Sequence, residues 1–432
     1  MNRTLALLLL SAGLINTAWS QPQLIQWEDN TPSSLKPFQN NASEVAALAK
    51  HQILIYAHPS TSVNLPTNKK QRQAKASFTT SAIVLQANAE QVGKLLADYE
   101  HYVGLYPTIK SAKILQQQNQ HSLVQYKISI PTPIPVLNFH ETIVFQHQRE
   151  AHSISSLVID APIPYGLGKL EWFPLENNQT LLTLTQWGDL NQPKGFVFSK
   201  ILNAVPEAKL GIPSGTGGFI LESIRLKFDK KAASTLKPGQ FPQDQWTAAQ
   251  LNRIAQVSRA SQQPVSLIHA PTTVPYQHGA EKMRFVTTYH YFPQSSQQLS
   301  KWTQPTLYSK LFPRQLKSVT VQEQNGSQLA DFKVNLGLGV INIPFNFKLN
   351  FQYPQAHSNS FFAQGGDLKY IKGEMAFNAH GSGTLMKMTN AAKIDEKAPF
   401  LLRAARSLPY NDLLPTLGAN TVFALKVQSV EK

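Results

Sequence analysis

Residues able to do chemistry are sparse in this 432-residue chain, and their spacing argues against most catalytic classes. The 12 histidines include no His-Glu-x-x-His and no other spacing suited to a metal. No Gly-x-Ser-x-Gly elbow offers a nucleophile. The absence of cysteine removes thiolate sites and disulfides. Ser214-Gly215-Thr216-Gly217-Gly218 is glycine-rich, but no Lys-Ser/Thr pair follows and no strand feeds it. It reads as a flexible joint in a helix rather than a phosphate cradle. His140 and Glu141 would work as an acid/base pair only from one face, and neighbours on a strand point to opposite faces. Asp160 and Glu171 could meet across adjacent strands, though nothing marks them as a dyad. The expectation is no catalytic residue, no metal and no cofactor.

The elements that position side chains are clearer. Ser81–Ala87, centred on Ile83-Val84-Leu85, suits a strand. Over Asn88–Tyr99 the period changes: Val92, Leu95, Leu96 and Tyr99 fall on one helical face, and Asn88 and Gln91 have the spacing of a capping box. The turn Tyr102-Val103-Gly104-Leu105-Tyr106-Pro107 then leads to Ile109-Lys110-Ser111. Strands are predicted over 112–115, 122–130, 137–148, 153–160, 168–173 and 180–188, with short turns that imply antiparallel pairing. Helices are expected over 196–205 and 219–228, separated by the glycine-rich break.

The order then repeats. A strand over 284–292 and short helices over 295–302 and 305–311 lead to Phe312-Pro313, where Tyr106-Pro107 stood. Ser318 follows Ser111 at a spacing of 207 (318 − 111). Six further strands precede a helix over 399–408. A repeat as long as a domain is tandem duplication rather than a solenoid. The second copy departs from the first, with Ser300-Lys301-Trp302-Thr303 near the place of Leu96-Ala97-Asp98-Tyr99. The division read from the sequence is an N-terminal arm with a short helix and strand (21–75), a first domain (76–229), a linker with one helix (230–283) and a second, divergent domain (284–432).

The segment from Ser81 to Ser111, with its Leu-Ala-Asp-Tyr helix end and Tyr106-Pro107 turn, resembles the opening of the START-like (SRPBCC) superfamily. The likeness is nearest its polyketide cyclase/dehydrase and coenzyme Q-binding branch. The resemblance implies an α+β fold of two tandem helix-grip domains, each a curved antiparallel sheet around a C-terminal helix. It also implies an apolar ligand between sheet and helix. A sheet wrapped on a long helix encloses more volume than its side chains fill. The pocket lining expected on that basis is Tyr102, Tyr106, Phe139, Phe145, Tyr165, Trp172, Trp187, Phe198, Ile201 and Leu202 in the first domain. Trp302, Phe345 and Phe347 play the same part in the second. Tyr and Trp rings with a polar handle would orient a head group.

Residues 1–20, with one Arg, an apolar run over Leu5–Leu10 and small residues Ala18 and Ser20, describe a cleaved secretory signal peptide without a lipobox cysteine. An exported chain without disulfides suits a bacterial periplasm. The net charge of +15 comes with only 15% charged residues, so it reflects scarce acids rather than basic blocks. Lys69–Lys75 is the one dense cluster and reads as a solvated loop. Nucleic acid is an unsuitable partner for an exported protein, whereas peripheral contact with an anionic membrane fits the charge. The sequence thus predicts an exported protein that binds or carries a lipid, quinone or polyketide-like molecule. The alternatives are a cyclase/dehydratase-type enzyme using the same cavity, or a non-catalytic interaction protein of the envelope. The protein partner is left open.

Overall fold

Strand-forming runs with short turns assemble, in the computed structural model, into one long antiparallel sheet. Residues 22–66, 72–130, 139–194, 199, 202–203, 208–229, 234–276, 279–338, 341–396, 398–404, 406 and 410–432 are described. The predicted signal peptide (1–20), Lys69 and Lys70 of the basic cluster, and most of the predicted helix 196–205 lie outside the described residues.

The first half runs α1 (Ala42–Ala49), β1 (Gln52–Ala57), a hairpin of β2 (Thr61–Leu65) and β3 (Arg72–Ala76), β4 (Thr79–Leu85) and α2 (Ala89–Ala97). Six strands follow: β5 (Ile109–Gln118), β6 (His121–Ile130), β7 (Phe139–Arg149), β8 (Ser153–Asp160), β9 (Gly166–Leu175) and β10 (Gln179–Gly188). The helix α3 (Ala208–Phe228) closes this half. The predicted capping box is present on α2, where Asn88 Oδ1 accepts from Gln91 N–H and the Gln91 side chain accepts from Asn88 N–H.

The second half repeats the series. After β11 (Ser234–Thr235) come α4 (Ala248–Ser261), β12 (Val265–His269), a hairpin of β13 (Thr272–Tyr276) and β14 (Gly279–Met283), and β15 (Val286–Phe292). Short helical turns over 296–311 replace α2. Six strands follow: β16 (Leu316–Gln324), β17 (Ser327–Leu338), β18 (Ile341–Gln352), β19 (Ser358–Gly366), β20 (Tyr370–His380) and β21 (Gly383–Lys393). The half ends with α5 (Phe400–Ala404) and α6 (Leu414–Glu431).

Sixteen of the strands form one sheet in the order β16-β17-β18-β19-β20-β21-β15-β12-β1-β4-β10-β9-β8-β7-β6-β5, while β11-β13-β14 and β2-β3 form two small sheets. This corrects the domain division read from the sequence. The segments taken as an N-terminal arm and a linker are counterparts, each a helix, a strand and a hairpin that belong to their own half. Their strands β1 and β12 pair antiparallel at the centre, Ile53 with Ile268, Leu54 with Leu267 and Ile55 with Ser266, joining the halves about an approximate two-fold axis.

Strand alternation sorts the core into two layers. Ile53 and Ile55 of β1, Ile83 of β4 and Leu182 of β10 face α3 and α6, where they meet Leu221, Ile224, Leu413 and Leu417. Leu54 and Tyr56, Ala82 and Val84, and Leu181 face the other way, onto Val45 and Leu48 of α1 and Ile254 and Val257 of α4.

The glycine-rich stretch is also corrected: it lies inside the continuous helix α3 rather than at a break. Its glycines are there for close approach. A Cβ on Gly211 would sit 3.2 Å from the Cα of Gly418, its counterpart at the repeat spacing of 207 (418 − 211). The two terminal helices therefore touch backbone to backbone at the seam. Buried Glu222 of α3 ties the halves further, paired with Arg225 at 2.6 Å and with Arg284, just before β15, at 2.8 Å. Both guanidinium groups hold its carboxyl below the ordinary range despite burial.

Candidate functional site

The concave face of the first half brings several of the predicted lining residues together. Tyr102, Tyr106 and Trp172 are buried in one cluster with Tyr99 and Tyr126, and Phe145 packs against it half-buried. The Tyr102 ring stacks over Tyr126 at 5.8 Å and meets Tyr106 edge-on at 5.1 Å. The Tyr102 hydroxyl donates to the Leu96 carbonyl at 2.7 Å, so the helix end and aromatic turn are fixed to each other. Burial raises the Tyr102 and Tyr126 phenols far above their ordinary range, and that of Tyr99 to about 12, so these groups stay neutral. Leu202 is buried, while Phe198, Ile201 and the side chain of Phe139 lie outside the described residues.

Tyr165 and Trp187 are corrections. They pack on the outer face with Trp27 and Phe78, away from α3. Leu182 and Leu184 of β10 face the helix, so Trp187, an odd number of residues away, must face outward. Asp160 and Glu171 do not meet either. Strand register sets Glu171 opposite Ser153, and its carboxylate accepts from the Ser34 N–H at 2.8 Å.

The concave face also holds a polar chain that the sequence reading missed. The Tyr126 hydroxyl lies 3.0 Å from His147 Nε2, and His147 Nδ1 lies 2.8 Å from Ser156 Oγ. The imidazole stacks on Tyr99 with ring centres 4.5 Å apart. Burial alone lowers its pKa to about 3, so it is neutral at any physiological pH. Tyr126 and His147 are buried, whereas Ser156 is half-exposed at the end of the chain. Directly across from Ser156 on β9 is Gly168, where a Cβ would meet nothing nearer than the Thr185 carbonyl oxygen at 3.8 Å. Ser156 and Gly168 are thus the small residues of this floor, with half-buried Ile143, Phe145 and Gln186 on the same face. On β7, alternation puts Glu141 on the same face, two residues from Ile143, and exposed Arg149 two residues from His147 at the other end. Residues 147 and 156 are symmetric about the β7–β8 turn. That cross-strand register was the one available sequence signal for the pair.

The second half fills the same positions. Tyr308 stacks on Phe332 at 6.3 Å as Tyr102 does on Tyr126, and strand register then matches His147 with Phe351, Ser156 with Phe361 and Gly168 with Gly373. Phe332, Phe351 and Phe361 are buried in one cluster against which Phe345 and Phe347 pack half-exposed. A Cβ on Gly373 would strike the Phe361 ring. Trp302 is buried against Phe423 and Val427 of α6, and its indole N–H donates to Glu431 at 2.8 Å. Of the predicted lining residues of the second half, Trp302 thus packs on α6, while Phe345 and Phe347 stand on the phenylalanine floor and Phe345 also reaches the cluster of Leu402 on α5.

The fold has the tandem helix-grip order expected from the sequence, two like antiparallel halves with terminal helices on one face of the sheet. That statement rests on this chain's strand order and helix placement. No protein-family model matches the chain, and no curated protein matches it. Among solved structures, the di-domain ARO/CYC BexL aligns over 81% of this chain and 97% of its own, at 11% identity and a TM-score of 0.26. A START superfamily protein from Mycobacterium smegmatis aligns over 35% of this chain and 96% of its own, at 16% identity and a TM-score of 0.29. A STAR-related lipid transfer protein from Xanthomonas axonopodis covers 39% of this chain and 98% of its own, at 14% identity and a TM-score of 0.27. Superpositions this loose add nothing to the strand order.

Among the described residues, no group of three His, Asp or Glu is placed to hold a metal. Two measurable cavities among the described residues lie elsewhere. One of about 30 Å³, room for a water, sits at the seam beside Glu222, Arg225 and Arg284. An open groove of about 380 Å³ runs between Leu24–Trp27 and the outer-face residues Gln118, His121 and Gln146.

Proposed function

We propose that this protein binds a hydrophobic small molecule, of lipid, quinone or polyketide-like character, on the concave face of its first half. The observation that carries this reading is the pair of small residues, Ser156 and Gly168, at one register of the floor. At the same register of the second half the Phe361 ring covers Gly373, while in the first half Ser156 stands opposite Gly168, where a Cβ would meet only ordinary contacts from 3.8 Å. Aromatic and aliphatic walls around a few polar atoms are the usual lining of a small-molecule site. The reading extends to place. Export to a bacterial periplasm is supported by the leader-like residues 1–20, and attraction to anionic membrane surfaces by the net charge of +15. Among the described residues no helix is long and apolar enough to cross a membrane.

The test is a titration with N-phenylnaphthylamine, a neutral apolar dye that brightens on leaving water. Saturable binding of one dye per chain is expected, and it should be lost in Ser156→Phe, which copies the plug of the second half. Absence of saturable binding, or a Ser156→Phe variant that binds as well as the parent, overturns the proposal.

A further inference from the structure

The polar chain on the concave face has a direction, and the direction selects a ligand. His147 bonds at both ring nitrogens, Nε2 to the Tyr126 hydroxyl at 3.0 Å and Nδ1 to Ser156 Oγ at 2.8 Å. A neutral imidazole carries one proton, so two arrangements exist. In one, Nε2–H points at the Tyr126 oxygen and Ser156 donates to Nδ1. The buried Tyr126 hydroxyl proton then needs an acceptor, and among the described residues its one hydrogen-bond partner is His147. In the other, Tyr126 O–H donates to Nε2, and Nδ1–H donates to Ser156 Oγ. Every buried donor is then satisfied. Burying an unpaired donor is the costlier choice, so the second arrangement prevails. It leaves a single free donor, the Ser156 hydroxyl proton, at the half-exposed end of the chain opposite Gly168.

We infer that the ligand of the first half carries a neutral oxygen acceptor, a carbonyl or ether such as that of a ketone, ester or quinone, which Ser156 O–H reads. The inference rests on the binding reading above and adds the chemical class. A carboxylate or phosphate head is disfavoured, because the polar chain ends on one neutral donor and the charged residues of this face, Glu141 and exposed Arg149, are of opposite sign. The same arrangement makes Ser156 a reader rather than a nucleophile. With its proton on Nδ1, His147 donates to Ser156 Oγ and has no free lone pair to deprotonate it, and the lowered pKa of the imidazole agrees.

The experiment measures displacement of N-phenylnaphthylamine from the full chain by three compounds of matched length: a long-chain methyl ketone, the alkane and the fatty carboxylate. The ketone should bind about three- to tenfold tighter than the alkane, the worth of one neutral hydrogen bond, and tighter than the carboxylate. In Ser156→Ala the ratio of ketone to alkane affinity should fall to about one. Nitrogen chemical shifts of His147 by NMR should show Nδ1 protonated and Nε2 bare. Equal affinities for ketone and alkane in the parent, a preferred carboxylate, or a proton on Nε2 each overturn the inference while leaving the binding reading intact. If the dye does not bind at all, the binding reading falls and the ligand class falls with it.

Discussion

Where β8 of the first half carries Ser156, β19 of the second carries Phe361. A Cβ on the glycine opposite each would meet only ordinary contacts at Gly168 but a phenyl ring at Gly373. Around them Tyr126 and His147 are matched by Phe332 and Phe351. The backbone of the duplication is kept, down to a glycine at the same register, while three side chains convert a polar chain into a packed aromatic core. A concave sheet under a helix must be filled by protein or by something else. The second half is filled by its own rings, and the first sets a small hydrogen-bond donor at the same place.

The strongest way to break that contrast is to open the filled half. Phe361 is buried among Phe332, Phe351 and Leu349. Phe361→Ser should therefore cost about 3–5 kcal/mol, as removal of a packed aromatic does. Urea unfolding checks it, and a loss under about 1 kcal/mol would mean the ring is not a plug. If the variant stays folded, dye stoichiometry should rise from one to two per chain.

A finer probe uses the two glycines. A methyl on Gly373 meets the Phe361 ring and the Asn390 Cβ, so Gly373→Ala should destabilise by about 1–3 kcal/mol through overpacking. Gly168→Ala has room, and its effect should stay within about 0.5 kcal/mol. Comparing the two unfolding midpoints decides the matter. Equal losses would show that the two floors are packed alike.

The duplication itself was legible in the sequence, because Pro107 and Pro313, and Ser111 and Ser318, mark the same turn after the same periodic change. The capping box of α2 was legible for the same local reason. What was lost lies in long-range pairing. Nothing in Ile53-Leu54-Ile55 or Leu267-Ile268 says that they pair with each other, so the central strands were read as an arm and a linker. Alternation gave the two faces of β10 but not which one turns toward α3, and Trp187 went to the wrong side. The polar chain was missed because His147 and Ser156 are nine residues apart and become neighbours only through the β7–β8 register. Aromatic residues drew attention as pocket lining, and the small residues that make a pocket, Ser156 and Gly168, did not.

Acid sharpens the contrast last, because it acts on the first floor and has nothing to titrate at Phe351. Folding lowers the His147 pKa from 6.5 to about 3 by burial. Between those values the unfolded chain binds a proton that the folded chain refuses, so stability is full above about pH 6.5 and falls as the pH drops toward 3. The slope for one such group is at most about 1.4 kcal/mol per pH unit. His58 and His290, each lowered by burial to about 4, add slopes of the same sign, so the parent curve is a sum. The difference between the parent and His147→Phe isolates the one term. The variant loses stability at neutral pH, where Ser156 and Tyr126 are left unpaired, yet its decline on acidification should be shallower by about 1 kcal/mol per pH unit between pH 6 and 4. Unfolding midpoints at several pH values give both numbers. Parallel curves would mean that His147 titrates freely in the folded protein, and then the floor of the first half would be as wet as its surface.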